Sequence, residues 1–302
     1  FVEREDGALS PTALGRLASE YYLDLQTART FADLTAASVT DTDALVAVAT
    51  AAEFDSVNAR SDEEDAIDAV LGDRHADLDD GSRKVLAILR SGATGTTPGA
   101  LRSDAWVIRQ NALRLLAALR AVVDREGSPG DANLVRRLEA RVETGLSEDA
   151  VGLTAIDGVG HSRAETLAGA GYRSPADIVA TTPTELEAVG LSEGVAERVQ
   201  ESAGELPVVD VDWGTFPDTI ARGERDLHEI AVATTAGDAR AKVRVTVNGV
   251  EMTTKATYLG QTTVPVGVYG GSADELDFAV HVTFPDIPLD PVVRSRTVRV
   301  RE

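Results

Sequence analysis

The chain has 302 residues, 43% of them apolar, a length that accommodates two or three domains. It carries 50 acidic and 29 basic residues, a formal charge of −21, and its only lysines are Lys84, Lys242 and Lys255. The absence of cysteine excludes disulfides and thiolate zinc sites, the four histidines stand at no metal-ligand spacing, and the helical stretches carry too many charges for a membrane span.

Met252 is the only methionine and the first residue is Phe1, so the chain is expected to be a processed product or a fragment of a longer protein. No signal-peptide pattern opens it. An acidic, arginine-rich and lysine-poor composition with abundant Ala, Val, Thr and Asp is expected of a halophilic archaeon, where acidic surfaces hold proteins in solution in molar salt. The other reading of the charge is an acidic surface that binds a partner.

Residues 1–206 read as helical and 207–302 as strands. Ser10-Pro11 reads as a cap and first-turn proline, followed by Leu14, Leu17, Ala18 and Tyr21 on one helical face. Further helices are expected near 41–52 and 61–71, the second opening on a solvated acidic turn, with a polar loop over 75–82. Charge is uneven. Residues 1–82 hold 5 Arg against 19 acids, 83–141 hold 11 basic residues against 5 acids, and 142–302 hold 13 against 26. At the centre of the basic block a long helix is expected over 104–125, capped by Ser103 and apolar almost all round. That pattern belongs inside a bundle, with Trp106 read as core ahead of a stacking platform. Arg109 and Arg120 lie about 20° apart on the helical wheel, with Arg114 on another stripe. These arginines either pair with acidic helices or face a strand of nucleic acid threading past.

A Gly/Ser/Pro break at 127–130 precedes a short basic helix over 133–145. Then Ile156-Asp157-Gly158-Val159-Gly160-His161-Ser162-Arg163-Ala164 places a tight Gly-apolar-Gly turn before a helix, the pattern of a helix-hairpin-helix. The glycines permit positive φ, and the free amides and positive end of the following helix suit a phosphate. The candidate nucleic-acid contacts are therefore Gly158, Val159, Gly160, His161, Ser162 and Arg163, joined by Arg109, Arg114 and Arg120. Ser174-Pro175 and Thr182-Pro183 open two more helices, and Leu191-Ser192-Glu193-Gly194 resembles a degenerate second hairpin turn. Beyond Pro207 the period becomes two, with Val243, Val245 and Val247 before the turn pair Asn248-Gly249, then Phe278, Val280, Val282 and Phe284. The expected fold is multidomain, α then β. It comprises a helical bundle (1–146), a helix-hairpin-helix domain (147–206) and a β-sandwich of immunoglobulin or fibronectin type (207–302).

Ala13-Leu14-Gly15-Arg16-Leu17-Ala18-Ser19-Glu20-Tyr21-Tyr22 resembles the T-x-LGR-x-A-S-x-YY opening of the Sec-sixty-three homology unit. That unit is the C-terminal part of superfamily-two helicases of the Brr-two and Mer-three kind. Glu53-Phe54 and Arg60-Ser61-Asp62-Glu63 are similar to a second segment of it, and the order of bundle, hairpin and sandwich matches across essentially the whole chain. Archaeal repair helicases of the same superfamily share the bundle and the hairpin. In their central helix an arginine, and a tryptophan seven residues later, stack on bases, and Val107 and Arg114 align to those places. This departure and the terminal sandwich favour the Brr-two-like branch.

The resemblance implies a C-terminal accessory unit of an ATP-dependent DNA or RNA helicase. Its partners would be single-stranded nucleic acid, the helicase motor domains, and a protein docked on the sandwich. No phosphate loop G-x-x-x-x-G-K-[ST] and no DExH-type acidic box is present, so no catalytic residue, metal or cofactor is expected in this chain; ATP and magnesium belong to the motor domains. A cytoplasmic location is expected. The alternative is a protein-interaction module that touches no nucleic acid. A hairpin-bearing glycosylase would need a catalytic Asp or Lys in a following helical domain, where this chain turns to strands.

Overall fold

The computed structural model describes residues 1–5 and 8–302. Contacts divide them into two units. The first is Phe1–Thr154 with Val159–Ser174, and the second is Ala155–Gly158 with Pro175–Glu302. The first is mainly helical and the second carries the large sheets, as the change of period predicts.

The first unit opens on an antiparallel pair, β1 (Val2–Glu5) and β2 (Ala8–Pro11). This corrects the helix start read at Ser10-Pro11. Pro11 ends an edge strand, where its missing N–H costs nothing, and Thr12 caps α1 (Ala13–Glu20) by accepting from the Gly15 amide at 3.0 Å. The next two helices, α2 (Leu25–Leu34) and α3 (Asp41–Ala49), are capped by Asp24 and by a Thr40–Asp43 capping box. They are followed by α4 (Glu64–Leu71) and α5 (Asp80–Gly92), the latter capped by Asp79, whose carboxyl is held below its ordinary range by Ser82.

The longest helix is α6 (Arg102–Glu126), 25 residues and about 37 Å at 1.5 Å per residue. It begins two residues before the expected start, so Ser103 lies inside it rather than capping it. It packs against α1, α2, α3, α5 and α7 (Asp131–Thr144) and so forms the axis of the bundle. Phe31, Leu115, Leu116, Leu119, Val135 and Leu138 fill the core around it. The C-cap of α7, Gly145, has φ 72°, and a Cβ there would meet the Gly95 Cα at 2.8 Å. Two chain segments pass here with no room for a side chain. The last helix of the unit is α8 (His161–Gly169).

The second unit begins its helices with α9 (Pro175–Ala180), α10 (Pro183–Ala188) and α11 (Glu193–Gly204). The two Pro-led starts lie where the sequence places them, and Thr182 with Glu185 forms the capping box. The strands are β3 (Val209–Asp212), β4 (Thr219–Ala221), β5 (Arg225–Thr234), β6 (Arg240–Val247), β7 (Val250–Tyr258), β8 (Gln261–Tyr269), β9 (Glu275–Thr283) and β10 (Val292–Arg301). They form a five-stranded sheet, β4-β10-β9-β6-β7, and a three-stranded sheet, β3-β5-β8. Alternate residues of both sheets, among them Ile230, Val243, Val245, Val266, Phe278 and Val280, share one core. Phe216 lies in that core with Trp213 packed against it at 5.2 Å. The Asn248-Gly249 pair turns β6 into β7 with φ of 48° and 79°, the positive values that this hairpin turn needs.

Candidate functional site

Helix α6 is apolar on one broad face, not all round. Ala105, Ile108, Ala112, Leu115, Leu116, Leu119, Val122 and Val123 are buried, the i, i+3, i+4, i+7 spacing of a core-facing stripe. Trp106 and Val107 stand off this stripe and are 67% and 63% exposed. Trp106 is therefore a surface aromatic, against the core role expected of it. Arg102, one turn before it, and Gln110, one turn after, are exposed as well. An indole held on a rigid helix between a cation and an amide offers a flat apolar surface with polar flanks.

The arginines singled out on α6 have different surroundings. Arg120 pairs through Nε with Glu139 of α7 at 3.3 Å. Arg114 donates to the Tyr21 carbonyl at 2.5 Å, to that of Tyr22 at 3.1 Å, and to Asn111 at 2.8 Å, which ties the end of α1 to α6. Arg109 lies over Gly92, where a Cβ would come within 3.2 Å of its Cδ. It has no ion pair or side-chain hydrogen bond among the described residues. The pairing seen for Arg120 recurs through the basic block. Arg83 meets Asp68 at 2.7 Å, Arg137 meets Glu148 at 3.7 Å, and Arg141 meets Asp41 at 2.6 Å.

At the start of α6 lies a charge network that sequence reading missed. Lys84 and Glu63, each 1% exposed, meet at 2.8 Å. Lys84 also holds Asp104 at 2.5 Å and donates to the Asn58 carbonyl at 3.3 Å. Its hydrogen bond to Asp104 holds that carboxyl below its ordinary range. Glu63 additionally accepts from the Arg60 amide at 2.8 Å. The turn read as solvated thus contains a buried carboxylate. Glu53 has a similar part. It accepts from the Asp24 amide at 2.9 Å and the Thr27 hydroxyl at 2.6 Å, while Phe54 is buried beside it. Both quoted segments are joints of the bundle.

In the turn before α8, Ile156 and Val159 are buried, at 2% and 4% exposure. Gly158 has φ 77°. Gly160 does not need glycine for its backbone; it is extended, φ −85° and ψ −175°, and is the N-cap of α8 with no side-chain cap. A Cβ on it would meet nothing within 4 Å. His161, Ser162 and Arg163 follow, all exposed, with the His161 ring 3.5 Å from Glu165. The N-terminus of α8 is therefore exposed, and its N-cap supplies no side-chain hydrogen bond. The turn before α11 repeats the pattern. Gly190 has φ 112°, Leu191 is buried, and Ser192 is an extended N-cap whose side chain caps nothing.

Among the described residues no group of three or more His, Asp or Glu side chains could hold a metal, and no helix is long and apolar enough to cross a membrane. The pattern of the Sec63 Brl domain matches residues 11–294. Activating signal cointegrator 1 complex subunit 3 of chicken is 31% identical over 134 residues, and its human counterpart 30% over the same length. Each of these matches covers 42% of this chain and 6% of the relative, so the chain corresponds to a small part of those proteins. A solved CARDB domain of a Pyrococcus furiosus protein is 19% identical over 32% of this chain and 90% of its own, with a TM-score of 0.29, too slight a likeness to bear on fold or function.

Proposed function

The chain belongs to the Sec63 Brl domain family, and on that premise we propose that it is the C-terminal accessory unit of an ATP-dependent helicase, binding the strand that the motor translocates. In this reading the motor domains supply ATP and magnesium, and the chain supplies grip. Its acidic surface is an adaptation to molar salt in a halophilic archaeon, and its location is cytoplasmic. The three-part division at 146/147 and 206/207, with the central part a helix-hairpin-helix domain and the last an immunoglobulin- or fibronectin-like sandwich, belongs to the same reading.

The observation that carries the proposal is Trp106, exposed on the axial helix of the bundle with Arg102 and Gln110 beside it. Base stacking on an aromatic ring contributes about 1–3 kcal/mol per base and does not depend on sequence. The backbone amides of Gly160, His161, Ser162 and Arg163 form a second contact, a cradle for one backbone phosphate, with Gly158 and Val159 shaping the turn. Arg109 adds a cation near the axis, whereas Arg114 and Arg120 act by holding α6 in place. At molar salt the Debye length is about 3 Å, so stacking and short backbone hydrogen bonds remain effective where lysine patches would not. DNA and RNA serve equally in this account.

Gly160→Asp tests the phosphate cradle. Aspartate fits the extended backbone and open space at 160, and as an N-cap it satisfies the amides of α8 itself. The variant is expected to fold with α8 slightly stabilised and to bind a labelled single-stranded 20-mer about tenfold more weakly in anisotropy titrations in molar KCl, a change of about 1.4 kcal/mol. Unchanged binding by both Gly160→Asp and Trp106→Ala would refute the proposal.

A protein-contact role for the second unit rests on a separate observation. Strand β7 lies at the edge of its sheet and exposes Val250, Met252 and Tyr258 at 66%, 46% and 72%. An edge strand with apolar side chains suits a partner that adds to the sheet.

A further inference from the structure

A cavity of about 160 Å³ opens among α3, α5 and α7, within the first unit. Leu45, Leu86 and Leu138 make its apolar part. Arg90, Arg141 and His75 also line it, as does Thr42 in the first turn of α3. Arg141 is anchored by its Nη1, which donates to Asp41 at 2.6 Å and to Glu148 at 2.9 Å. Its Nε is buried and donates to no acceptor. The Arg90 guanidinium has no ion pair or hydrogen bond among the described residues. His75 is held in the left-handed region, φ 61°, a conformation uncommon for a residue with a side chain.

Among the described residues Asp41 is the one carboxylate that lines it, and Arg141 already engages both Asp41 and Glu148. The Arg90 guanidinium is left as a donor beside an apolar recess. Buried donors call for acceptors, and guanidinium groups match the planar or tetrahedral oxygens of carboxylates and phosphates. At about 30 Å³ per water, the space admits roughly five or six non-hydrogen atoms.

We propose that this cavity is a binding site for a small organic oxyanion, a carboxylate or phosphate ester with a short apolar body. The oxyanion meets the Arg90 guanidinium, and the body rests on the leucines. The site is independent of the nucleic-acid reading, since it shares no residue with Trp106 or the α8 turn.

The test is a titration of the ¹⁵N-labelled chain with butyrate, methyl phosphate and inorganic phosphate, each replacing chloride at constant ionic strength. The expected result is saturable movement of the Thr42, His75, Arg90 and Thr94 amides with at least one of the organic anions. Arg90→Gln should weaken that binding about tenfold, the size of a lost charge-assisted hydrogen bond, and leave the spectrum elsewhere unchanged. Saturation by butyrate alone identifies a carboxylate, and by methyl phosphate alone a phosphate ester. Shifts that do not saturate, that scatter over surface arginines, or that persist undiminished in Arg90→Gln would overturn the assignment, as would saturation by inorganic phosphate alone.

Discussion

Replacing Lys84 by methionine removes one charge from the most enclosed ion pair described in the molecule. Methionine keeps most of the lysine stem, so packing changes little. Glu63 is then left buried, and its nearest remaining cation is the half-exposed guanidinium of Arg60, 3.6 Å from Oε1. Removing one partner of a buried pair costs about 3–5 kcal/mol, because the other charge stays desolvated. Arg83→Gln is the contrast. Its pair with Asp68 is open to solvent on the Asp68 side, 67% exposed, and exposed pairs contribute about 0–1 kcal/mol. Denaturant unfolding followed at 222 nm reports the helical unit and separates the two variants. Lys84→Met with Glu63→Leu should regain most of the loss, since no buried charge then remains; Asp104 is 30% exposed and can hydrate. The deficit of Lys84→Met should also persist in molar KCl, where surface pairs are screened and buried ones much less so. A cost under about 1 kcal/mol for Lys84→Met, or one that vanishes with salt, would refute the view that this network joins α4, α5 and α6.

Gly145→Ala should destabilise the helical unit by about 1–3 kcal/mol, read from the same denaturant midpoint, because alanine is strained at φ 72° and its Cβ would enter the backbone of Gly95. A midpoint equal to wild type would remove the steric argument. The β-rich unit should show a histidine-linked acid sensitivity. The His281 pKa lies below its ordinary 6.5, first because the ring is partly buried and then because of the Arg244 charge. The unfolded chain therefore binds the extra proton first. The stability tied to the neutral ring is fully present above 6.5 and is lost as pH falls below 6.5 through the depressed folded value. His281→Gln should flatten that part of the pH profile of unfolding between pH 7.5 and 5; parallel profiles for the two proteins would contradict it.

The legible parts of the fold were those where one local rule acts alone. The Thr182-Pro183 capping box, the Asn248-Gly249 turn and the alternating valines of β6 are decided by backbone geometry within a few residues, and each lies where the sequence puts it. The long helix was visible in its apolar density, but its orientation was not. Trp106 and Val107 add to an apolar count, yet they sit beside the stripe set by Ala105, Ile108 and Ala112 rather than on it. Which face is covered depends on where the neighbouring helices dock, and no periodicity within α6 states that. The β1–β2 pair was hidden because Ser10-Pro11 serves equally as a helix start and as the end of an edge strand. Its partner residues at the very start of the chain decided between them. Burial of Glu63 was concealed because its countercharge lies 21 positions away, on α5. The two Gly-led turns were visible in sequence, but the extended backbone of Gly160 at the N-cap of α8 was not.

The most direct test of the account is the fluorescence of Trp106 itself. Trp213→Phe leaves Trp106 as the only tryptophan and keeps an aromatic ring beside Phe216. Titrating this variant with a single-stranded oligonucleotide in molar KCl should quench the exposed indole saturably as bases stack on it. The quenching should be reversed by unlabelled single strand and absent with duplex. Emission that stays unchanged at oligonucleotide concentrations where anisotropy shows the strand bound would place the strand away from α6. No binding by either readout would contradict the accessory-unit reading as a whole.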